Sequence, residues 1–122
     1  MSDSPKIIST QQVISPDLTL KGQLVDKHSR CIHYHTTIDI IALKYKCCQT
    51  YYPCFQCHQE LTNHKVEKYN LTDLESIKVV LCGECYNELL FDEYKNNQMK
   101  CVYCHHEFNP GCSLHYDLYF DI

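Results

Sequence analysis

The stretch Cys47-Cys48-Gln49-Thr50-Tyr51-Tyr52-Pro53-Cys54-Phe55-Gln56-Cys57-His58-Gln59-Glu60-Leu61-Thr62-Asn63-His64 carries four cysteines and two histidines in eighteen residues. Three chemistries use soft side chains at this density: disulfides that staple a small secreted fold, thiols that do redox work, and ligands that hold a metal ion. Upstream, Cys31-x-His33 adds two more donors, making eight between residues 31 and 64. Eight is enough for two tetrahedral sites and too many for one. A disulfide scheme leaves His33, His58 and His64 without a role. It also strains at Cys47-Cys48, because neighbouring cysteines bond to each other only through a distorted ring. Metal ligation gives all eight a use.

Further along, Cys82-x2-Cys85-x15-Cys101-x2-Cys104 has the spacing of a zinc ribbon. Two residues between cysteines let one tight turn aim both sulfurs at a point, and two such turns complete a tetrahedron. Gly83 eases the backbone in the first turn. One C-x2-C pair alone reads equally well as a redox dithiol. Two pairs at ribbon spacing favour zinc.

Composition agrees. The 122 residues bound the chain to one small domain, and ten Cys and ten Tyr swell a hydrophobic fraction of 44% that contains no Trp. Such a core is thin, and small domains of this kind need staples. Eleven basic against fifteen acidic residues give a formal charge of −4, with Arg30 the sole arginine. Nucleic-acid recognition relies on a basic face, so that function class is excluded. Residues 1–26 lack the basic start and apolar run of a secretory signal, and no stretch approaches the ~20 apolar residues of a membrane span. The expectation is a chain outside the secretory pathway, where disulfide frameworks are uncommon.

Residues 1–30 are polar, free of cysteine and punctuated by Ser4-Pro5, Ser15-Pro16 and Gly22. They read as a mostly disordered arm with a short strand around Leu18–Leu20. IDIIALKYKC (38–47) and IKVVL (77–81) read as strands. The polar bridge VEKYNLTDLES (66–76) joins the two arrays. NELLFDEYKNN (87–97) reads as a helix with Tyr86, Leu89, Leu90 and Tyr94 on one face and Asn96-Asn97 as its stop, followed by a short strand in QMKCVYC (98–104). The fold class expected is a small zinc-stapled α+β domain over residues 31–120. It divides into an irregular cluster (31–66) and a ribbon-like strand–helix–strand unit (77–120).

The pattern C-x-H-Y (31–34), D-I-I-A (39–42) and C-C-x3-Y-x-C-x2-C-H-x5-H (47–64) resembles the CHY-type zinc-finger family. C-G-E-C (82–85), C-V-Y-C (101–104) and F-N-P-G-C-x2-H-x3-Y-F (108–120) continue it. The resemblance implies three structural zinc ions. Their ligands would be Cys31, His33, Cys47, Cys48, Cys54, Cys57, His58, His64, Cys82, Cys85, Cys101 and Cys104. In residues 31–64 it suggests two interleaved sites, Cys31 and His33 joining Cys54 and Cys57 while Cys47 and Cys48 join His58 and His64. Asp39 is then a candidate partner for a ligating imidazole, or simply a carboxylate at a strand end.

Some family members attach this domain to a RING and act as ubiquitin ligases, and no eight-ligand RING array accompanies it in this sequence. A stand-alone domain with a short polar arm is similar instead to a branch of the family in the mitochondrial intermembrane space. That branch is linked to assembly of the small cysteine-rich Tim chaperones and to the thiol-oxidising relay that folds them. The implied function is a monomeric, non-enzymatic, zinc-binding assembly factor acting through protein contacts and zinc or thiol exchange. The alternative is a cytosolic structural zinc module that recruits partners, for example in ubiquitin pathways. Cys112 and His115 fall outside the twelve; they could form a fourth site with His105 and His106, or simply pack. His28 and His35 read as ordinary surface histidines.

Overall fold

Central strands that are apolar on both faces, IALKY and KVVLC, anchor a six-stranded mixed sheet in a computed structural model that describes residues 6–109 and 120–121. The strands are β1 (Ser9–Ser15), β2 (Leu18–Leu24), β3 (Ile41–Tyr45), β4 (Thr50–Tyr52), β6 (Lys78–Cys82) and β7 (Glu88–Leu90), in the order β1-β2-β4-β3-β6-β7. All neighbours are antiparallel except β2 and β4, which run parallel through Leu20 and Tyr51. A second, two-stranded sheet pairs β5 (Tyr69–Asn70) with β8 (Phe120–Asp121). Three short helices complete the fold: α1 (Phe55–Leu61), α2 (Leu71–Leu74) and α3 (Phe91–Lys95).

The period of two sorts side chains onto the two faces of the sheet. Ile41, Leu43 and Tyr45 of β3 and Val80 and Cys82 of β6 enter the larger core, which also collects the cysteines. Ala42 and Leu81 point the other way and meet Leu20, Leu24 and Tyr51 in a smaller core. A fully buried leucine such as Leu81 contributes about 1.5–3 kcal/mol of transfer free energy. The Tyr51 hydroxyl donates to Glu88 Oε1 at 2.8 Å, so even the phenol inside this core is satisfied.

Several expectations are corrected here. Residues 9–24 form a hairpin rather than a disordered arm, turning at Pro16-Asp17. The spacing of Leu18, Leu20 and Leu24 supplies the reason, since every second residue of β2 faces the sheet's smaller core. The helix expected over 87–97 is cut to Phe91–Lys95, because Glu88–Leu90 instead extend the sheet beside β6. Tyr86 takes a left-handed backbone (φ 62°) and lies off any helical face, whereas Leu89 and Tyr94 are fully buried. Asn96 does cap α3, its N–H reaching Asp92 O at 2.9 Å. The short strand expected in 98–104 reduces to one bridge between Lys100 and Glu107, since Gln98 and Met99 both have positive φ. The polar bridge is ordered, with Tyr69 and Leu74 buried and an Asn70/Asp73 capping box opening α2. Cys112 and His115, and with them the suggested fourth site, lie outside the described residues.

Candidate metal centre

The ribbon half is assembled from two turns with the same wiring. In the first, Cys82 N–H donates to Asn87 O (3.0 Å) and Tyr86 N–H to Cys82 O (2.8 Å). In the second, Cys101 N–H donates to His106 O (3.0 Å) and His105 N–H to Cys101 O (2.9 Å). Each turn closes on a residue with left-handed φ, Tyr86 at 62° and His105 at 65°. His105 is thus the hinge of a knuckle, and His106 turns Nδ1 to Glu107 O at 2.9 Å. The four sulfurs converge: Cys82 to Cys104 and Cys85 to Cys101 are both 3.7 Å apart.

The other half draws its donors from separated elements. Cys54 is the N-cap of α1, its sulfur accepting from Cys57 N–H at 3.4 Å, so one helical turn aims both sulfurs together. Cys31 meets Cys54 at 3.7 Å, and His33 Nδ1 lies 3.4 Å from Cys54 Sγ and 3.5 Å from Cys57 Sγ. His58 follows Cys57 on the helix and is rotated by about 100° from it, so it faces elsewhere. Its Nε2 is 3.4 Å from Cys47 Sγ and 3.9 Å from Cys48 Sγ, and those two sulfurs are 3.9 Å apart. His64 joins them, its ring edge-on to His58 at 5.0 Å. Tyr45 stacks on His58 at 4.3 Å and Tyr52 meets its edge at 4.9 Å.

The twelve side chains expected to act as donors therefore gather into three sets of four. These are Cys31/His33/Cys54/Cys57, Cys47/Cys48/His58/His64 and Cys82/Cys85/Cys101/Cys104, each able to hold a metal ion. A disulfide would bring sulfurs to about 2.0 Å. Tetrahedral zinc, with Zn–S near 2.3 Å and Zn–N near 2.0–2.1 Å, instead sets S···S at about 3.8 Å and S···N at about 3.5 Å. The observed separations match the edges of zinc tetrahedra. Among the described residues all nine cysteines are free thiols.

Electrostatics follows from this crowding. Hydrogen bonding shared among the three sulfurs holds Cys31 well below the usual thiol range, while contacts with Cys31 and burial push Cys54 up, and Cys57 likewise. Burial, helped by His64, holds the His58 imidazole below its ordinary value and so keeps it in the neutral form that ligates. Burial raises Cys85, but donation from the Asn87 side chain at 3.3 Å and from its backbone brings it below the usual thiol value. Backbone N–H groups of Gln23 and Tyr103 reach Cys57 and Cys101 at 3.5 and 3.4 Å. Such donors spread thiolate charge into the protein.

Surrounding residues show what the sequence reading missed. Among the described residues Asp39 contacts no imidazole: its carboxylate accepts from Thr36 N–H and Oγ1–H at 2.9 and 2.7 Å and from Asn109 at 2.8 Å. It closes the turn after the C-x-H motif. The carboxylate that does meet a donor imidazole is Glu60, with Oε1 3.2 Å from His33 Nε2. Its signal was its place one helical turn after Cys57. Arg30 bridges Asp26 (2.7 Å) to the carbonyls of Thr36 and Thr37 (2.7 and 3.0 Å), clamping the loops that flank Cys31 and His33. His28 binds Gly83 O at 3.0 Å through Nδ1, tying this loop to the ribbon, whereas His35 is exposed as expected.

The CHY zinc finger family model matches residues 31–113. "Helper of Tim protein 13" of Kluyveromyces lactis is 52% identical over 99 residues, covering 81% of this chain and 85% of the relative. The protein of the same name from Saccharomyces cerevisiae is 47% identical over 106 residues, covering 85% and 91%. An uncharacterised Schizosaccharomyces pombe protein is 42% identical over 100 residues, covering 82% and 87%. With its Cys/His sets at zinc spacing and a family match across most of its length, this chain belongs to the CHY zinc finger family.

Proposed function

We propose that this chain is a zinc-binding assembly helper for small cysteine-rich Tim proteins in the mitochondrial intermembrane space. One ion is held by Cys31, His33, Cys54 and Cys57, a second by Cys47, Cys48, His58 and His64, and a third by Cys82, Cys85, Cys101 and Cys104. The observation that carries the reading is the closure of each set: four soft donors at tetrahedral separations fill the coordination sphere of zinc. A hydrolytic zinc keeps one position open. Closed sites suit a holder or exchanger of zinc rather than an enzyme.

Bound zinc neutralises thiolates and ties them in place. Reduced Tim chains and the thiol-oxidising relay present the same soft chemistry, and zinc on their thiols blocks disulfide formation. A chain that withdraws this zinc leaves those thiols free to oxidise. The relatives named for helping a Tim protein support the link to that client class. The charge of −4 supports protein partners over nucleic acid. The test is depletion of the chain in its own cells, with protease protection of fractionated mitochondria. The expected result is a chain shielded by the outer membrane, and small Tim assemblies that fall on depletion and return with the wild type but not with Cys54→Ser. A protease-sensitive cytosolic chain, or unchanged Tim assemblies, would overturn the proposal.

A further inference from the structure

His33 and His58 turn opposite ring nitrogens toward their sulfurs. His33 faces Cys54 and Cys57 with Nδ1 and leaves Nε2 3.2 Å from Glu60 Oε1. His58 faces Cys47 and Cys48 with Nε2, and its buried Nδ1 has no hydrogen-bond partner among the described residues. A neutral imidazole that binds a metal through one nitrogen carries its proton on the other. At His33 that proton meets a carboxylate; at His58 it meets none.

We infer that Glu60 is a positioning residue for the first set. Its carboxylate holds His33 in the Nε2–H form, keeps Nδ1 turned inward as a ligand, and so slows exchange of the ion held there. This rests on the ligand assignment proposed above. Burial makes His33 the control point. Cys31, Cys54 and Cys57 are 0–1% exposed, so an incoming donor reaches none of the three sulfurs without opening the fold. The side chain of His33 is 12% exposed and that of Glu60 46%. Exchange therefore begins with the imidazole swinging outward, and that swing must break the contact with Glu60. Because Glu60 and Cys57 share α1 one turn apart, carboxylate and sulfur are carried by the same element. The second set lacks both features: His64 is exposed, and among the described residues His58 has no acceptor for its outer proton.

The experiment uses the full zinc-loaded chain as wild type, Glu60→Gln and Glu60→Ala. Zinc transfer to a chromogenic chelator gives the release phases, and nitrogen–proton spectra of the His33 ring report its tautomer and metal-bound nitrogen. The wild type should show His33 bound through Nδ1, with a slowly exchanging Nε2 proton. In Glu60→Ala that proton should exchange too fast to be seen, and zinc should leave the first set about 10–100-fold faster while the ribbon phase is unchanged. Glu60→Gln keeps an acceptor oxygen and should retain the proton signal and slower release. An unaltered ring signal with unaltered release in Glu60→Ala would overturn the role of Glu60, as would equal acceleration of every phase. A wild type without metal at His33 Nδ1 would overturn the ligand assignment instead.

Discussion

Residues 82–104 and residues 31–64 reach the same tetrahedral spacing by different routes. Each ribbon knuckle closes within six residues through two backbone hydrogen bonds and one left-handed residue, so its pair of sulfurs is aimed by local contacts alone. The first two sets take donors from the loop after β2, the turn after β3, helix α1 and the segment beyond it. They share α1 at Cys57 and His58, and the β1–β2 hairpin leans on them through Gln23 N–H and Gly22. Local wiring gives independence, whereas borrowed ligands give coupling.

Removing metal should have the largest effect. Structural zinc supplies about 10–16 kcal/mol of apparent binding energy per ion, against a total stability of about 5–15 kcal/mol for a small domain. Chelation under reducing conditions should therefore collapse residues 31–104 together with the hairpin, followed by circular dichroism and amide proton dispersion. A native spectrum in zinc-free protein would remove the basis of the comparison.

Next come single ligands. Cys54→Ser removes a donor from the first set and the N-cap of the helix that carries His58, so two zinc equivalents should be lost. Cys101→Ser should cost only one. Native mass spectrometry counts the ions, and a loss of one in both variants would break the claim that the first two sites are coupled.

The pH dependence should separate all three sites. Metal binding releases the protons its ligands carried, and between about pH 6.5 and 8.5 an unfolded histidine carries none while a cysteine still carries one. Binding then releases four protons from the ribbon, three from the first set and two from the second. Affinity should rise with pH by about 10^4-fold per unit at the ribbon and about 10^2-fold at the second set. Competition titrations at several pH values measure this, and equal slopes would contradict the donor sets.

Two glycines sharpen the contrast further. A Cβ at Gly83 would clash with His28 O and lie 2.6 Å from Ile40 O, both backbone atoms that cannot step aside. At Gly22 the nearest atoms are Pro53 Cδ and Cγ at 2.6 and 2.8 Å, in a ring that can pucker but is tied to its own backbone nitrogen. Gly83→Ala should cost about 3 kcal/mol or more and Gly22→Ala about 1–3, the latter weakening the first site before the ribbon. Denaturant melts of the loaded proteins test the order.

The smallest effect expected is an ordering of reactivity. Four thiolates around one zinc leave the ribbon at about −2 and the second set near neutral. Cys85 and Cys104 are also part-exposed, whereas Cys31, Cys54 and Cys57 are buried. A mild oxidant should modify Cys85 or Cys104 first, located by mass spectrometry, and first attack on Cys47 or Cys48, which are likewise part-exposed, would refute the ordering.

The sequence by itself determined which side chains are available as soft donors. Ribbon spacing was legible because a knuckle is a local object, complete within a few residues of each C-x2-C pair. The strands of residues 41–45 and 78–82 were legible because their β-branched and apolar runs face a core. The helix after Cys85 was overestimated because Leu89, Leu90 and Tyr94 satisfy a helical period, while the edge of β6 offered residues 88–90 backbone partners that local spacing does not reveal. Residues 9–24 looked like an arm because Ser, Pro and Gln outnumber apolar residues there, yet three leucines at even spacing were enough once a sheet face existed to receive them. Tertiary structure alone decided which carboxylate meets an imidazole. Asp39 is nearer to His33 in the chain, but its turn bends it back onto Thr36, and α1 carries Glu60 across 27 residues of sequence to the ring. Chain neighbours set which atoms are available; the packing of a helix against a loop sets which of them touch.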